Sequence, residues 1–455
     1  MGSDDDFEAQ YAKVADDAGG SPAFGPLFGP RTFDEKLTDL CYDIMEAYEE
    51  GSTGLSDMFR EWEDELRKVT LEEFPVFHDA ASIDYFGRIM LSLESAAACI
   101  RDVKDYGLAD LISLFQHWEG TAADNFADNL KILESTIGYQ LGFVGDVGAT
   151  ATHFEELMKR TRVDSYGLAE ELMSKVDPPS SGSDLSTVLL VAGLIAAGVA
   201  TFGAGPLVGV AGAAAAIEFG TGAMDGVLQV QNGLTTDEVG DRSIRGDNPD
   251  VYVPSCQERI DEIRTTGILK AETVMGALAD DMKSPDIKYL YWPRSEVIGM
   301  TKPDNGRFRS SDGFRVDRVA DLRKAGDGTL PVMAQSFEEA SKSVELLTNY
   351  FSAGIGNSVV GTTGRNTFYD AADVLMESFT QTRDALYEAG VALTDIADNY
   401  ARAEARHTEM MEAFQGKMDN SDMGKRFPKY KPAPEAEQPP SSRPRVLPGG
   451  EQVTR

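Results

Sequence analysis

The chain has 455 residues, with 42 Lys and Arg against 76 Asp and Glu, which gives a formal net charge of −34. Hydrophobic residues make up 42% of the sequence, enough to build buried cores, so a wholly disordered chain is excluded. The acidity disfavours a nucleic-acid-binding protein, because binding phosphates requires Lys and Arg. It also disfavours electrostatic attraction to anionic lipid.

The Cys and His residues form no motif that carries chemistry. Cys41, Cys99 and Cys256 are too widely spaced for a disulfide framework or a CxxC metal pair, and the four histidines match no HExxH pattern. The sequence contains no P-loop, no dinucleotide-binding GxGxxG after a strand and no GxSxG nucleophile elbow. We therefore predict a protein that is not an enzyme and that takes neither a metal nor a cofactor.

The N-terminal half divides into an arm, a helical domain and a linker. Residues 1–31 are polar and rich in Gly, Pro and Asp, which predicts a flexible arm without a secretory signal peptide. Between 32 and 176 apolar residues recur every three or four positions, which predicts an N-terminal helical domain. This pattern is interrupted at Gly51–Ser52 and again at 117–120. Residues 177–184 are rich in Pro, Ser and Gly and predict a linker.

The C-terminal half begins with an apolar Gly- and Ala-rich insert at 185–230. Residues 231–313 predict a connecting region that is partly helical and partly irregular or β. Residues 314–415 predict a C-terminal helical hairpin with a Gly-rich break at 354–364. Residues 416–455 predict a disordered, Pro-rich tail. The fold class is therefore predicted to be all-α, with two helical-hairpin modules that form a helical bundle.

A Trp-containing turn lies between two helical stretches of the N-terminal domain. Trp118 and Gly120 belong to this turn, and Phe126 begins the helix that follows. The Gly allows the chain to reverse, and the Trp ring is suited to packing between two helix ends. The following helix carries one apolar face, the N-terminal stripe: Phe126, Leu130, Leu133, Ile137, Leu141, Val144, Val147, Ala151, Phe154 and Met158. This pattern predicts a helical hairpin.

A strict heptad pattern follows near the C-terminus. Its residues form the C-terminal stripe: Phe368, Ala372, Leu375, Phe379, Thr382, Leu386, Ala389, Leu393, Ile396 and Tyr400. Such a stripe must pack on another helix, and both an internal bundle core and a partner-facing surface fit the pattern. At its end, Tyr400 and Glu404 are one helical turn apart, so both lie on one helix face.

These motifs resemble the WXG100 (ESX) proteins, which are helical-hairpin substrates of type VII secretion systems. Trp118-Glu119-Gly120 is similar to the family's turn, and Tyr400 to Glu404 to its C-terminal secretion motif. The resemblance implies recognition by the secretion ATPase, and pairing with a WXG100-like partner or self-association into a four-helix bundle. The two motifs lie in different hairpins here, the second hairpin has no Trp in its turn, and the chain is several times longer than a minimal member. The two hairpins of this chain are therefore expected to be able to pair with each other.

The insert contains 33 consecutive uncharged residues, Leu185 to Ile217. A membrane-spanning helix needs about 20 apolar residues, so this run is a candidate membrane segment. Its candidate membrane-facing residues are Leu185, Leu190, Leu194, Phe202, Leu207 and Ile217. Two interpretations remain open, which are insertion into a membrane and burial as a small-residue hairpin between the two helical modules.

The combined prediction is a non-enzymatic type VII (ESX-like) protein that acts through protein or membrane contact. It is expected in the cytoplasm before export and afterwards outside the cell or in the cell envelope, with no nucleic-acid partner. Two alternatives remain: a membrane-permeabilising helical toxin in which 185–217 is the active part, and an intracellular helical scaffold or chaperone-like bundle.

Overall fold

The computed structural model describes residues 10–15, 32–52, 57–79, 81–115, 118–119, 121–177, 243–292, 315–316 and 318–419. These residues are predominantly helical, which confirms the predicted all-α class. The uncharged run Leu185 to Ile217, including all six candidate membrane residues, lies outside the described residues, as do residues 420–455. Within the described ranges, no helix is both long enough and apolar enough to span a membrane.

Among the described residues of the N-terminal part, six helices have eight or more residues. The helices are α1 (Phe33–Ser52), α2 (Asp57–Lys68), α3 (Asp84–Asp102), α4 (Leu108–Phe115), α5 (Thr121–Val176) and α6 (Pro249–Lys283). A π-helical turn, Val69–Glu73, and a 3-10 turn, Phe74–Phe77, follow α2, and a second π-helical turn, Val103–Gly107, joins α3 to α4. Helix α1 is described as far as Ser52, so Gly51 and Ser52, where the sequence predicts a break, are themselves helical.

The C-terminal part begins with a 3-10 turn, Pro285–Leu290, in the region predicted to be irregular. Its helices are α7 (Val319–Lys324), α8 (Leu330–Val344), α9 (Leu347–Ile355), α10 (Val359–Thr362) and α11 (Arg365–Asp419). A third π-helical turn, Ala325–Thr329, joins α7 to α8. The last helix continues to Asp419, slightly beyond the predicted start of the tail at residue 416. The described strands are two residues long: β1 (Trp118–Glu119) and β2 (Arg315–Val316).

The first hairpin has α3 and α4 as one arm and α5 as the other. Near the turn, the rings of Phe115 and Phe126 meet edge to face with centroids 4.4 Å apart. Further along, the Thr152 hydroxyl donates to the sulfur of Met90 at 3.6 Å. These contacts make the two arms antiparallel. Every residue of the N-terminal stripe is buried, as its helical spacing predicts.

The second hairpin has α7, α8 and α9 as one arm and α11 as the other. The rings of Phe337 and Phe379 lie 6.2 Å apart, and the Thr394 hydroxyl donates to the Asp327 carboxylate at 2.6 Å. The C-terminal stripe is buried from Phe368 to Leu393. Over that part of the helix the stripe therefore forms an internal bundle core and not a partner-facing surface.

The two hairpins pack on each other in antiparallel orientation. Between α3 and the arm of α8 and α9, Tyr85 lies beside Tyr350 with ring centroids 5.9 Å apart, and the hydroxyls of Ser95 and Ser343 are 3.2 Å apart. Between α5 and α11, the buried Gln140 amide donates to the Thr382 hydroxyl at 3.0 Å. The four arms thus form a helical bundle within one chain.

A second core lies at the C-terminal end of α5, where α1, α2 and α6 pack around it. It contains Leu37, Ile44, Leu66, Phe74, Leu172, Tyr252 and Ile260. Cys41 and Cys256 are also buried there, and all three cysteines of the chain are free thiols. Burial raises the pKa of the Cys41 thiol to about 12, so this cysteine behaves as a small apolar side chain.

A buried ion pair connects this second core to the bundle. The Arg162 guanidinium donates two hydrogen bonds to the Asp79 carboxylate, at 2.9 and 2.8 Å, and a third to the Ala81 carbonyl at 2.9 Å. The backbone N–H of Asp79 donates to the Asp34 carboxylate, and its carbonyl accepts from the Asn357 N–H. The pair therefore joins α1, α5 and the turn between α9 and α10.

The chain forms two compact units, Met1–Thr394 and Asp395–Arg455. The contacts given above lie within the first unit. The described part of the second unit is the C-terminal portion of α11. Within it, residues 402–417, which we call the extension, are exposed at every position.

Removing Arg162 tests the buried pair. In Arg162→Met the Asp79 carboxylate stays buried without its counter-charge, so we expect the free energy of unfolding to fall by about 3–5 kcal/mol. Urea denaturation measures this change. As a control, Lys131→Met removes an exposed ion pair with Asp128 and should alter stability little. An unchanged midpoint for Arg162→Met would contradict the assigned role.

Two glycines of the third π-helical turn provide a matched test of packing. A Cβ atom on Gly326 would lie 2.5 Å from the Thr394 hydroxyl and 2.7 Å from the Gly390 carbonyl oxygen, whereas a Cβ on Gly328 would meet nothing within 4 Å. Gly326→Ala is therefore expected to destabilise by about 1–3 kcal/mol. Gly328→Ala should be neutral or slightly stabilising. Thermal unfolding of both variants compares them, and equal melting temperatures would refute the close approach.

Candidate functional site

The predicted Trp turn lies where α4 ends and α5 begins. The backbone of Trp118 pairs with Val316, and that of Glu119 with Arg315, in an antiparallel two-residue ladder. Gly120 lies outside the described residues. Phe126 is 3% exposed and packs on Phe115. The turn of the first hairpin is therefore held against the segment that leads into the second hairpin, a pairing for which the sequence contains no periodic signal.

The candidate secretion signal lies on α11. Tyr400 is half-buried, and this burial raises the pKa of its phenol. Glu404 is exposed. Both residues are helical, so their side chains leave the same face one turn apart. The extension overlaps this signal and continues it with exposed side chains as far as Lys417.

Comparison with the other Tyr-x-x-x-Asp/Glu pairs shows what distinguishes this one. Tyr369 and Asp373, on the same helix, are half-buried and exposed in the same way as Tyr400 and Glu404. That pair lies inside the bundle segment of α11, where buried stripe residues flank it. The pair at Tyr400 is instead followed by fully exposed helix. The two pairs are therefore equally exposed, and they differ in the helix that follows each of them.

In another such pair, Tyr166 and Glu170, the carboxylate takes part in a contact within the fold. Glu170 is half-buried on α5 and lies 3.9 Å from the Lys13 ammonium. Burial raises the pKa of the Glu170 carboxyl, while Lys13 acts in the opposite direction. This carboxylate lies in the second core region and is less accessible than Glu404.

Sequence reasoning missed a set of buried polar residues on α5. Gln140 is fully buried, and its amide nitrogen donates to the carbonyl of Leu290 at 2.9 Å as well as to Thr382. Asp146, Thr150 and His153 are also buried. The partners of Gln140 come from distant segments, so spacing along the chain gives no signal for it. Thr150 instead donates to the backbone carbonyl of Asp146 within α5.

The buried carboxyl of Asp146 is the strongest electrostatic feature of this set. Burial, with a smaller contribution from Asp281, raises the pKa of Asp146 to about 8. Burial and the neighbouring Asp280 raise the pKa of Asp281 to about 6. Burial lowers the pKa of His153, against a smaller opposing effect of Glu156, and so favours the neutral imidazole. Across the residues that the structure describes, no three His, Cys, Asp or Glu side chains are grouped to hold a metal ion.

Comparison with models of protein families, with curated proteins and with solved structures finds nothing that matches this chain.

The raised pKa of Asp146 predicts a pH-dependent stability. Its folded pKa of about 8 lies above the ordinary value of 3.8, so the folded state holds a proton that the unfolded state releases. The unfolding free energy should therefore fall as pH rises from about 4 to 8, by up to about 1.4 kcal/mol per pH unit, and level off above 8.

Asp146→Asn removes this titration, so its stability should depend much less on pH and exceed that of the wild type at pH 8. Urea denaturation at pH 5, 6.5 and 8 measures the slope. Glu134→Gln, which changes an exposed carboxylate on the same helix, is the control and should keep the wild-type slope. Parallel slopes for the wild type and Asp146→Asn would show that Asp146 does not carry the effect.

Proposed function

We propose that the protein is a non-enzymatic helical substrate of a type VII (ESX-like) secretion system and that Tyr400 and Glu404 form its export signal. The observation that carries the proposal is the pairing of two helical hairpins into a four-helix bundle. WXG100 hairpins reach such a bundle as dimers, and here one chain supplies both hairpins. The Trp-x-Gly turn at 118–120 and the Tyr-x-x-x-Glu pair at 400–404 carry the sequence resemblance.

The contacts between the hairpins support this interpretation. Phe351 of α9 stacks on Phe368 with ring centroids 4.0 Å apart, and it also meets Phe154 of α5 at 5.3 Å. A residue of the second hairpin thus shares one aromatic cluster with the first. The bundle therefore needs no partner subunit to bury these rings. A chain of this kind would be exported as its own paired unit.

The accessibility of the signal supports the same proposal. A secretion ATPase has to read the signal on a folded substrate, so at least one of its side chains must be exposed. Glu404 meets this requirement, and the helix geometry places it one turn beyond Tyr400. The absence of a Trp in the second turn is a departure from the family pattern. Under this proposal, the first hairpin supplies the turn motif and the second supplies the signal.

In this proposal the protein is made in the cytoplasm and acts outside the cell or in the envelope through contact with proteins or a membrane. The net charge of −34 keeps the long helices soluble. It also disfavours nucleic acid as a partner, because phosphates would be repelled.

Export of matched variants tests the proposal. Glu404→Ala and Tyr400→Ala should each reduce the exported fraction at least about tenfold, a loss of recognition of about 1.4 kcal/mol or more. Asp373→Ala alters a pair with the same spacing and exposure on the same helix and should be exported like the wild type. The measurement is an immunoblot of cells and medium from the organism that encodes the chain.

Circular dichroism and thermal melting of each variant show whether the bundle remains folded. Wild-type export of a folded Glu404→Ala variant would overturn the assignment of the signal. Retention of the wild-type protein inside cells with an active type VII system would instead favour the intracellular scaffold.

A further inference from the structure

The extension is a helix without cover from the described residues. All of its side chains from Arg402 to Lys417 are exposed, and among them Met410 is 66%, Met411 57% and Phe414 60% exposed. Isolated helices of this length are marginal in water, because most helical stability in proteins comes from packing an apolar face. A helix that ends in three exposed large apolar side chains therefore indicates a surface that packs on something else.

Met410 and Phe414 of the extension continue the register of the C-terminal stripe. After Leu393, Ile396 and Tyr400, the alternating steps of three and four residues reach Ala403, His407, Met410 and Phe414. The stripe residues Phe368, Leu375, Phe379 and Leu386 are fully buried within the bundle, whereas Met410 and Phe414 are exposed. The same heptad face that forms a helix–helix contact earlier in α11 is thus presented without a partner.

Charge indicates what kind of partner fits this face. The extension contains three basic residues, Arg402, Arg406 and Lys417, and three acidic residues, Glu404, Glu409 and Glu412. Its charge is balanced, although the whole chain is at −34. Two copies of so acidic a chain repel each other over most of their surfaces, and the repulsion is weakest where the charge is balanced. A strongly basic or strongly acidic helix would gain nothing from contact with a neutral helix, whereas the extension of a second copy is itself neutral.

We infer that the extension pairs with the extension of a second copy of this chain. The contact is a short two-helix coiled coil over residues 402–417 in which Met410 and Phe414 are the large apolar residues of the interface. An isologous contact of this kind is closed by a two-fold axis, so it gives a dimer and not a filament. The paired segment is only about two heptads long, so the dimer is expected to be weak and to form as the protein concentration rises. This inference goes beyond export and does not depend on it.

Sedimentation velocity of the full chain over a concentration series tests the pairing. The wild type should shift from monomer to dimer as its concentration rises. The double variant Met410→Glu/Phe414→Glu puts charges at the centre of the contact and should remain monomeric at every concentration. Val391→Glu is the matched control, because Val391 is 64% exposed on the same helix but lies on the opposite side of the heptad. It should dimerise like the wild type.

A wild type that remains monomeric throughout the series overturns the inference, as does a double variant that dimerises normally. Circular dichroism checks that the double variant keeps its helical content.

Hydrogen–deuterium exchange of the wild type at low and high concentration then locates the contact. Protection that increases with concentration within residues 402–417 supports the inference, and protection that increases only elsewhere overturns it.

Discussion

Two helices of 56 and 55 residues each carry an apolar stripe that must be removed from water. A single partner helix covers only one side of such a stripe. Each long helix therefore packs against the shorter arm of its own hairpin and also against the other long helix. The aromatic cluster of Phe154, Phe351 and Phe368 shows this arrangement, because its rings come from both hairpins. The antiparallel bundle follows from this need to bury both stripes.

Apolar burial is non-directional, so the register of the bundle depends on a few polar and steric contacts. The buried Gln140 amide donates to Thr382 and to the Leu290 carbonyl, and a different alignment would leave this buried donor without these acceptors. Gly326 and Gly390 allow α11 to approach the third π-helical turn at a distance that larger residues would prevent. The Arg162–Asp79 pair joins the second core to the turn between α9 and α10. Together these contacts select one alignment among several that would bury similar apolar area.

The proposed signal and the proposed dimer contact make use of the same property of α11. Inside the bundle its heptad face packs against neighbouring helices, as the full burial of Leu386 shows. Further along, Glu404 and Phe414 remain exposed on a helix that is still regular. A signal placed here can be bound without disturbing the core. A contact placed here can join two acidic chains at a segment of balanced charge.

The sequence alone determined the helical class and the faces of α5 and α11 that become buried. Periodicity of three and four residues depends only on local geometry, so the stripes on α5 and α11 were predicted residue by residue. Tyr400 and Glu404 were also selected from sequence, since their spacing follows from one helical turn.

Only the tertiary structure decided which stripe meets which, because residues far apart in the chain supply the contacts. The Arg162–Asp79 pair, the Gln140–Thr382 hydrogen bond and the ladder between Trp118 and Val316 have no signature along the chain. The structure also decided that the heptad face is covered at Leu393 and uncovered at Phe414. A heptad pattern states that a face is apolar, and only the arrangement of neighbouring helices determines where that face is buried.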